Sequence, residues 1–174
     1  DGVTWTSVLA GANDGSLLDK NHLWIDNSPT SPYEGNVYDA WTDFGGNNDN
    51  DIEFAYSSDG GLTYSSIQNI SSAVNAGSHN QGVNISTGPN GNVYVVSRES
   101  HCIQKFTSEG EFITMWGRKG QWEGEFDMPL CVTSDDQGFI YVSDTNNHRI
   151  QKFTSNGEFV GKWGSNGSED GQFS

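Results

Sequence analysis

The densest run of potential metal ligands is DFGGNNDNDIE, positions 43–53, which carries Asp43, Asn47, Asn48, Asp49, Asn50, Asp51 and Glu53. Hard cations such as Ca2+ take about six to eight oxygens, so a run of this kind has the chemistry to hold one. It lacks the alternating spacing of an EF-hand loop, and Asn, Asp and Gly are also what any long turn contains. Both readings stay open, with Asp43, Asp49, Asp51 and Glu53 as candidate ligands and Ca2+ as the one cofactor suggested. A second stretch, GRKGQWEGE at 117–125, is the one loop that joins two adjacent cations, Arg118 and Lys119, to a tryptophan, Trp122. Trp and Arg are the residues most enriched in binding hot spots. Packing of Trp122 inside the fold is the competing reading. No pair of carboxylates is singled out by spacing for glycosidic acid–base work.

The charge balance narrows the partners. The formal net charge is −15, with eleven carboxylates and one cation (Lys20) in residues 1–81, against twelve carboxylates and seven cations in 82–174. Such a field repels phosphate backbones, which argues against nucleic acid. No run approaches the ~18 apolar residues of a membrane-spanning helix. Cys102 and Cys131 fall at non-equivalent places in the pattern below and are expected to be free, mostly buried thiols.

These residues need a scaffold, and the chain writes that scaffold repeatedly. YVVSRESHCIQKFTSEGEF (94–112) and YVSDTNNHRIQKFTSNGEF (141–159) share twelve of nineteen positions without a gap, at an offset of 47. Periods of roughly 20–50 residues mark solenoids and propellers. Within the second copy, PLCVTSDDQG, GFIYVSDT, RIQKFTS and EFVGKWG each alternate apolar and polar residues between turn signals. Four short strands in one period make an antiparallel meander, the blade of a β-propeller. The same grammar covers GNVYDAWTD (35–43) and IEFAYSSDGGLTY (52–64). The chain is therefore expected to be all-β, with blades at 23–70, 83–116 and 130–163. VTWTSVLAG at the start reads as an orphan strand of a further blade. Turns after the second and fourth strands of each blade share one face, formed by 43–51, 97–101, 144–148, 10–22, 72–82 and 117–128. Arg98, Glu99, Arg118, Lys119, Trp122, Asp144 and Asn146 are the candidate ligand-binding residues on it.

Two family resemblances follow from these motifs. Residues 91–174 resemble NHL-repeat propellers, with Asn147-His148-Arg149 at the place of the name-giving triplet and Arg for Leu. Residues 1–90 resemble the BNR, or Asp-box, repeats of sialidase-like propellers, since Ser57-Ser58-Asp59-Gly60-Gly61-Leu62-Thr63-Tyr64 fits the box with Tyr for Trp. In that family the box is structural, which makes Ser57, Asp59, Gly61, Thr63 and Tyr64 a fold element. The resemblances imply one continuous segment of a six-bladed ring, completed by self-association or by further blades of a longer chain. They imply a non-catalytic, extracellular scaffold for protein or glycan ligands. A sialidase-like hydrolase would need an arginine triad, and Arg98, Arg118 and Arg149 all lie in the NHL-like half. The alternative is part of such a hydrolase or of a metal-dependent NHL-type lyase, whose channel histidines would correspond to His22 and His79. His101 and His148 share one repeat position and read as turn residues.

Overall fold

The computed structural model describes residues 17–44, 51–71 and 83–174. The expected orphan strand, Asp49, His79 and the loop 72–82 lie outside these residues. Three four-stranded antiparallel sheets follow one another along the chain. The first holds β1 (Leu17–Ile25), β2 (Val37–Phe44), β3 (Asp51–Ser57) and β4 (Gln68–Asn69), in that order. The second holds β5 (Asn84–Thr87), β6 (Val93–Ser97), β7 (Cys102–Phe106) and β8 (Phe112–Trp116). The third holds β9 (Pro129–Ser134), β10 (Ile140–Asp144), β11 (Arg149–Phe153) and β12 (Phe159–Trp163). The only helix among the described residues is a single 3-10 turn at Thr145–Asn147. The meanders expected from the alternation are all present.

The first blade departs from expectation at both edges. Its inner strand starts at Leu17 rather than near residue 23, because a bulge between Asp19 and His22 breaks the alternation in the sequence. Its outer strand shrinks to two residues in a stretch rich in Ser.

The sheets pack face to face. Tyr38, Phe54, Ile85, Val95 and Phe106 fill the space between the first and second blades. Tyr94, Ile103, Phe126, Val132, Ile140 and Phe153 fill that between the second and third. Each such side chain contributes about 1.5–3 kcal/mol by leaving water. Position in the stack explains a difference between the copies. β6 and β7 are buried at every residue, since a neighbour covers each face of the middle blade. β10 and β11 are buried only at alternate residues, and β12 exposes Val160 and Trp163. Both cysteines are free, as expected, and Cys102 in β7 is buried, but the expected burial fails on this asymmetry at Cys131 in β9, which is exposed.

Candidate functional site

The two loops that follow the fourth strands of the second and third blades are copies of one another. Phe126 N donates to Arg118 O at 2.9 Å and Gly120 N to Phe126 O at 3.0 Å. The copy repeats this with Phe173 N to Ser165 O at 2.8 Å and Gly167 N to Phe173 O at 3.2 Å. Both start with a glycine at positive φ, Gly117 and Gly164, where a Cβ would run into Phe126 and Phe173 respectively. The shape is thus set by Gly and Phe. What the loops carry differs: Trp122 in the first stands where Glu169 stands in the second.

Trp122 is 79% exposed. Its backbone is nevertheless held from below by the third blade. Arg149 donates from Nη1 to Gln121 O at 2.8 Å, and from Nη2 to the carbonyls of Trp122 and Glu125 at 2.9 Å each. Gln151 Nε2 also donates to Glu125 O at 2.7 Å, and Gly124 N donates to Gln151 Oε1 at 3.0 Å. Both side chains converge on Asp144, which is fully buried: its Oδ2 accepts from Arg149 Nε at 2.7 Å and from Gln151 Nε2 at 3.0 Å. Asp144 Oδ1 accepts from the Asp127 amide at 2.7 Å. Asn147 Nδ2 reaches Gly120 O at 2.9 Å. Buried charge is tolerated here because every polar partner is in place.

On the outer side, Arg118 Nε and Nη2 donate to Glu125 Oε1 at 2.9 and 2.7 Å, and Glu125 Oε2 accepts from Trp122 N at 3.1 Å. The Arg118 hydrogen bonds, followed by the Trp122 amide, hold the Glu125 carboxyl below its usual range. Lys162 in β12 lies 3.4 Å from Glu123, and Gln121, Trp122 and Lys162 line a shallow groove.

Of the residues expected on this face, Arg118, Lys119, Trp122 and Asn146 are exposed and Arg98 and Glu99 are half-buried. Asp144 is interior, a loop anchor rather than a ligand-facing group. The role of Arg149 and Gln151 was not legible in the sequence, because their partners are backbone carbonyls. The histidines of the repeat sit at φ 54° (His101) and φ 50° (His148) in the turn before the third strand. His101 Nδ1 accepts the Met128 amide at 3.1 Å, so it is unprotonated, and desolvation lowers its pKa. His22 Nδ1 likewise accepts the Ile85 amide at 3.1 Å.

The acidic run is only partly assembled. Asp43 and Asp51 face one another across β2 and β3, two residues from the Trp41–Glu53 pair. Asp51 accepts from Ser71 Oγ at 3.0 Å, and Glu53 Oε2 accepts from Trp41 Nε1 at 2.8 Å. The described residues contain no group of three His, Cys, Asp or Glu able to hold a metal ion. The turn at Ser57–Thr63 is self-contained. Asp59 Oδ1 accepts from the amides of Leu62 and Thr63 at 3.0 and 2.9 Å, and Oδ2 from Thr63 Oγ1 at 2.6 Å. Those bonds from Thr63, with that from Ser57, bring the Asp59 carboxyl down to about 2.

With this geometry in hand, comparison with known proteins is informative. The NHL repeat family matches residues 126–153, which run from the anchored loop through Asp144, Arg149 and Gln151. No curated protein matches the chain. Among solved structures, a gluconolactonase from Xanthomonas campestris is similar with a TM-score of 0.53 and 15% identity, over 87% of this chain and 49% of that one. A protein of unknown function from Bacteroides caccae gives 0.51 and 16%, over 73% and 41%. Another from Dyadobacter fermentans gives 0.51 and 12%, over 88% and 39%. The chain spans less than half the length of each. At these identities the likeness shows the fold: the chain forms part of a β-propeller.

Proposed function

We propose that this chain is a non-catalytic β-propeller binding module for a protein or glycan ligand, with the loop 117–128 as its principal contact. The observation that carries the reading is Trp122, largely exposed on a backbone clamped by Arg149 and Gln151. The loop does not need this indole to fold, since its copy forms with Glu169 in the same place. A rigid, exposed Trp loses little conformational freedom when a ligand covers it. Lys162 lines the groove beside it, the exposed Arg118 and Lys119 lie on the same loop, and Asn146, Arg98 and Glu99 extend the face. Asp-box-like blades fill residues 1–90 and NHL-like blades 91–174; the Asp59 hydrogen bonds support the first assignment. The exposed Val160, Trp163 and Phe173 support closure of a ring against further blades. Placement outside the cell rests on the Asp-box resemblance.

The test is surface plasmon resonance on immobilised wild-type protein against panels of glycans and extracellular protein domains, repeated with Trp122→Ala and Glu169→Ala. The reading expects hits that Trp122→Ala abolishes and Glu169→Ala preserves. Hits indifferent to Trp122→Ala would sink it.

A further inference from the structure

The loops on the opposite face, between the first and second strands of each blade, surround a separate cavity of about 210 Å3. The ends of all three inner strands meet there. Thr87, at the end of β5, is the hub. Its Oγ1 accepts from Trp24 Nε1 of the first blade at 3.0 Å, and its carbonyl accepts from Ser134 Oγ of the third at 2.7 Å. The indole of Trp24 is therefore held in a fixed orientation as one wall, with Pro29 and Pro89 beside it. The rest of the lining is rich in hydroxyls and includes two neighbouring carboxylates, Asp135 and Asp136, and no cation.

Three features of this lining point to a ligand. First, Ser86, one of the lining residues, is 1% exposed, and its buried Oγ has no hydrogen-bond partner. Second, the two carboxylates have different duties. Asp135 is a fixed charge, with Oδ1 accepting the amides of Gln137 and Phe139 and Oδ2 the hydroxyl of Tyr141. Burial pushes its pKa up, but the hydrogen bonds from Tyr141, Phe139 and Gln137 outweigh this and leave it below the usual range. Asp136 is exposed and points no side-chain bond into the turn. Third, no basic group belongs to the lining: Lys152, whose charge acts on Asp135, lies over the ring of Phe139 at 3.8 Å. An aromatic wall, two carboxylates and several hydroxyls, in a chain of net charge −15, attract a cation and reject an anion.

We propose that this cavity binds a small organic ammonium ion carrying a hydroxyl group, with Trp24 against the cationic head, Asp136 as its counter-charge and the Ser and Thr hydroxyls receiving the polar end. This site is independent of the Trp122 face.

Choline and its neutral carbon isostere, 3,3-dimethyl-1-butanol, are the probes, titrated into the full chain by calorimetry at low and moderate salt. Saturable one-to-one binding of choline is expected, weakened by salt and by Asp136→Asn at least about threefold, with the neutral isostere at least about tenfold weaker. Trp24→Phe keeps a ring and is expected to retain weakened binding; Asp136 is exposed, so its variant keeps the fold for comparison. Trp122→Ala is expected to leave choline binding unchanged. Absence of saturable choline binding, equal binding of the isostere, an unaffected Asp136→Asn, or loss in Trp122→Ala would each overturn the proposal. None of these results bears on ligands of the Trp122 face.

Discussion

The second and third blades are near-copies, yet the heads of their central strands are built from different chemistry. Counted from the turn that begins each β-ladder, the fifth residue pair is Ser97–Cys102 in one and Asp144–Arg149 in the other. In the first blade the corresponding pair is Trp41–Glu53. A glutamine shared by the two repeats accompanies two of them: Gln104 Nε2 donates to Ser97 Oγ at 3.0 Å, while Gln151 joins the Asp144–Arg149 network. Cys102 is buried, and desolvation takes its thiol up to about 11, so it is an uncharged packing group. The lesson is that the repeated Ile, Phe and Gly residues make the blade, whereas the fifth pair varies in chemistry, and in the third blade it holds the preceding loop. The Asp144–Arg149 pair reaches out to three carbonyls of the loop before it and fixes a tryptophan above it.

The largest effect that can break this comparison is removal of the guanidinium. Arg149→Met leaves Asp144 buried without its ion partner and is expected to cost about 3–5 kcal/mol in urea unfolding. Cys102→Ala, at the same place in the second blade, is expected to cost about 1 kcal/mol. Equal losses would show that the two heads do the same work.

A swap sharpens the point. Cys102→Arg alone introduces a buried charge opposite Ser97 and is expected to destabilise, and adding Ser97→Asp is expected to recover part of the loss. The coupling in the double-mutant cycle is expected at about 0.5–3 kcal/mol, favourable in sign. A coupling of zero would mean that the pair needs the loop carbonyls more than it needs itself.

Much of this architecture was legible before any coordinates. Alternation and the offset of 47 located the three blades among the described residues, because period-2 burial on a repeated meander is a strong signal. The fifth-pair equivalence was not. β2 and β3 run two pairs beyond the head, through Asp43↔Asp51, so a linear alignment sets Glu53 against the wrong residue of the later blades. Arg149 was recognised as a repeat residue, but its partners are carbonyls, which no side-chain pattern reveals. Asp144 is expected on the ligand face because the sequence places it in the turn 144–148, yet it ends β10 and the loop folds back over it.

pH separates two carboxylates of the first blade, the one with no charged head pair of opposite sign. Burial raises Asp39 from 3.8 to about 6, against a smaller lowering by the Ala40 amide. Its folded pKa lies above the unfolded one, so its contribution is present below about pH 4 and lost as pH rises through 6. Asp59, lowered to about 2, contributes stability above pH 4 that is lost as pH falls toward 2. In a series of thermal midpoints against pH, Asp39→Asn is expected to flatten the slope between about pH 4 and 6, and Asp59→Asn the slope below it. The reverse pattern would exchange the two assignments. The smallest effect is Trp122→Ala, expected within about 0.5 kcal/mol of wild type, because Glu169 already shows that the loop closes without an indole.

The central claim is that the third blade, through Arg149, holds the Trp122 loop rigid. Amide hydrogen exchange on wild type and Arg149→Met, followed at Trp122, Glu125, Phe126 and Asp127, tests it most directly. The account predicts that these amides lose protection in the variant while those of Gly167, Gln172 and Phe173 in the copied loop keep theirs. Unchanged protection at Trp122 and Glu125, or equal loss in both loops, would contradict it.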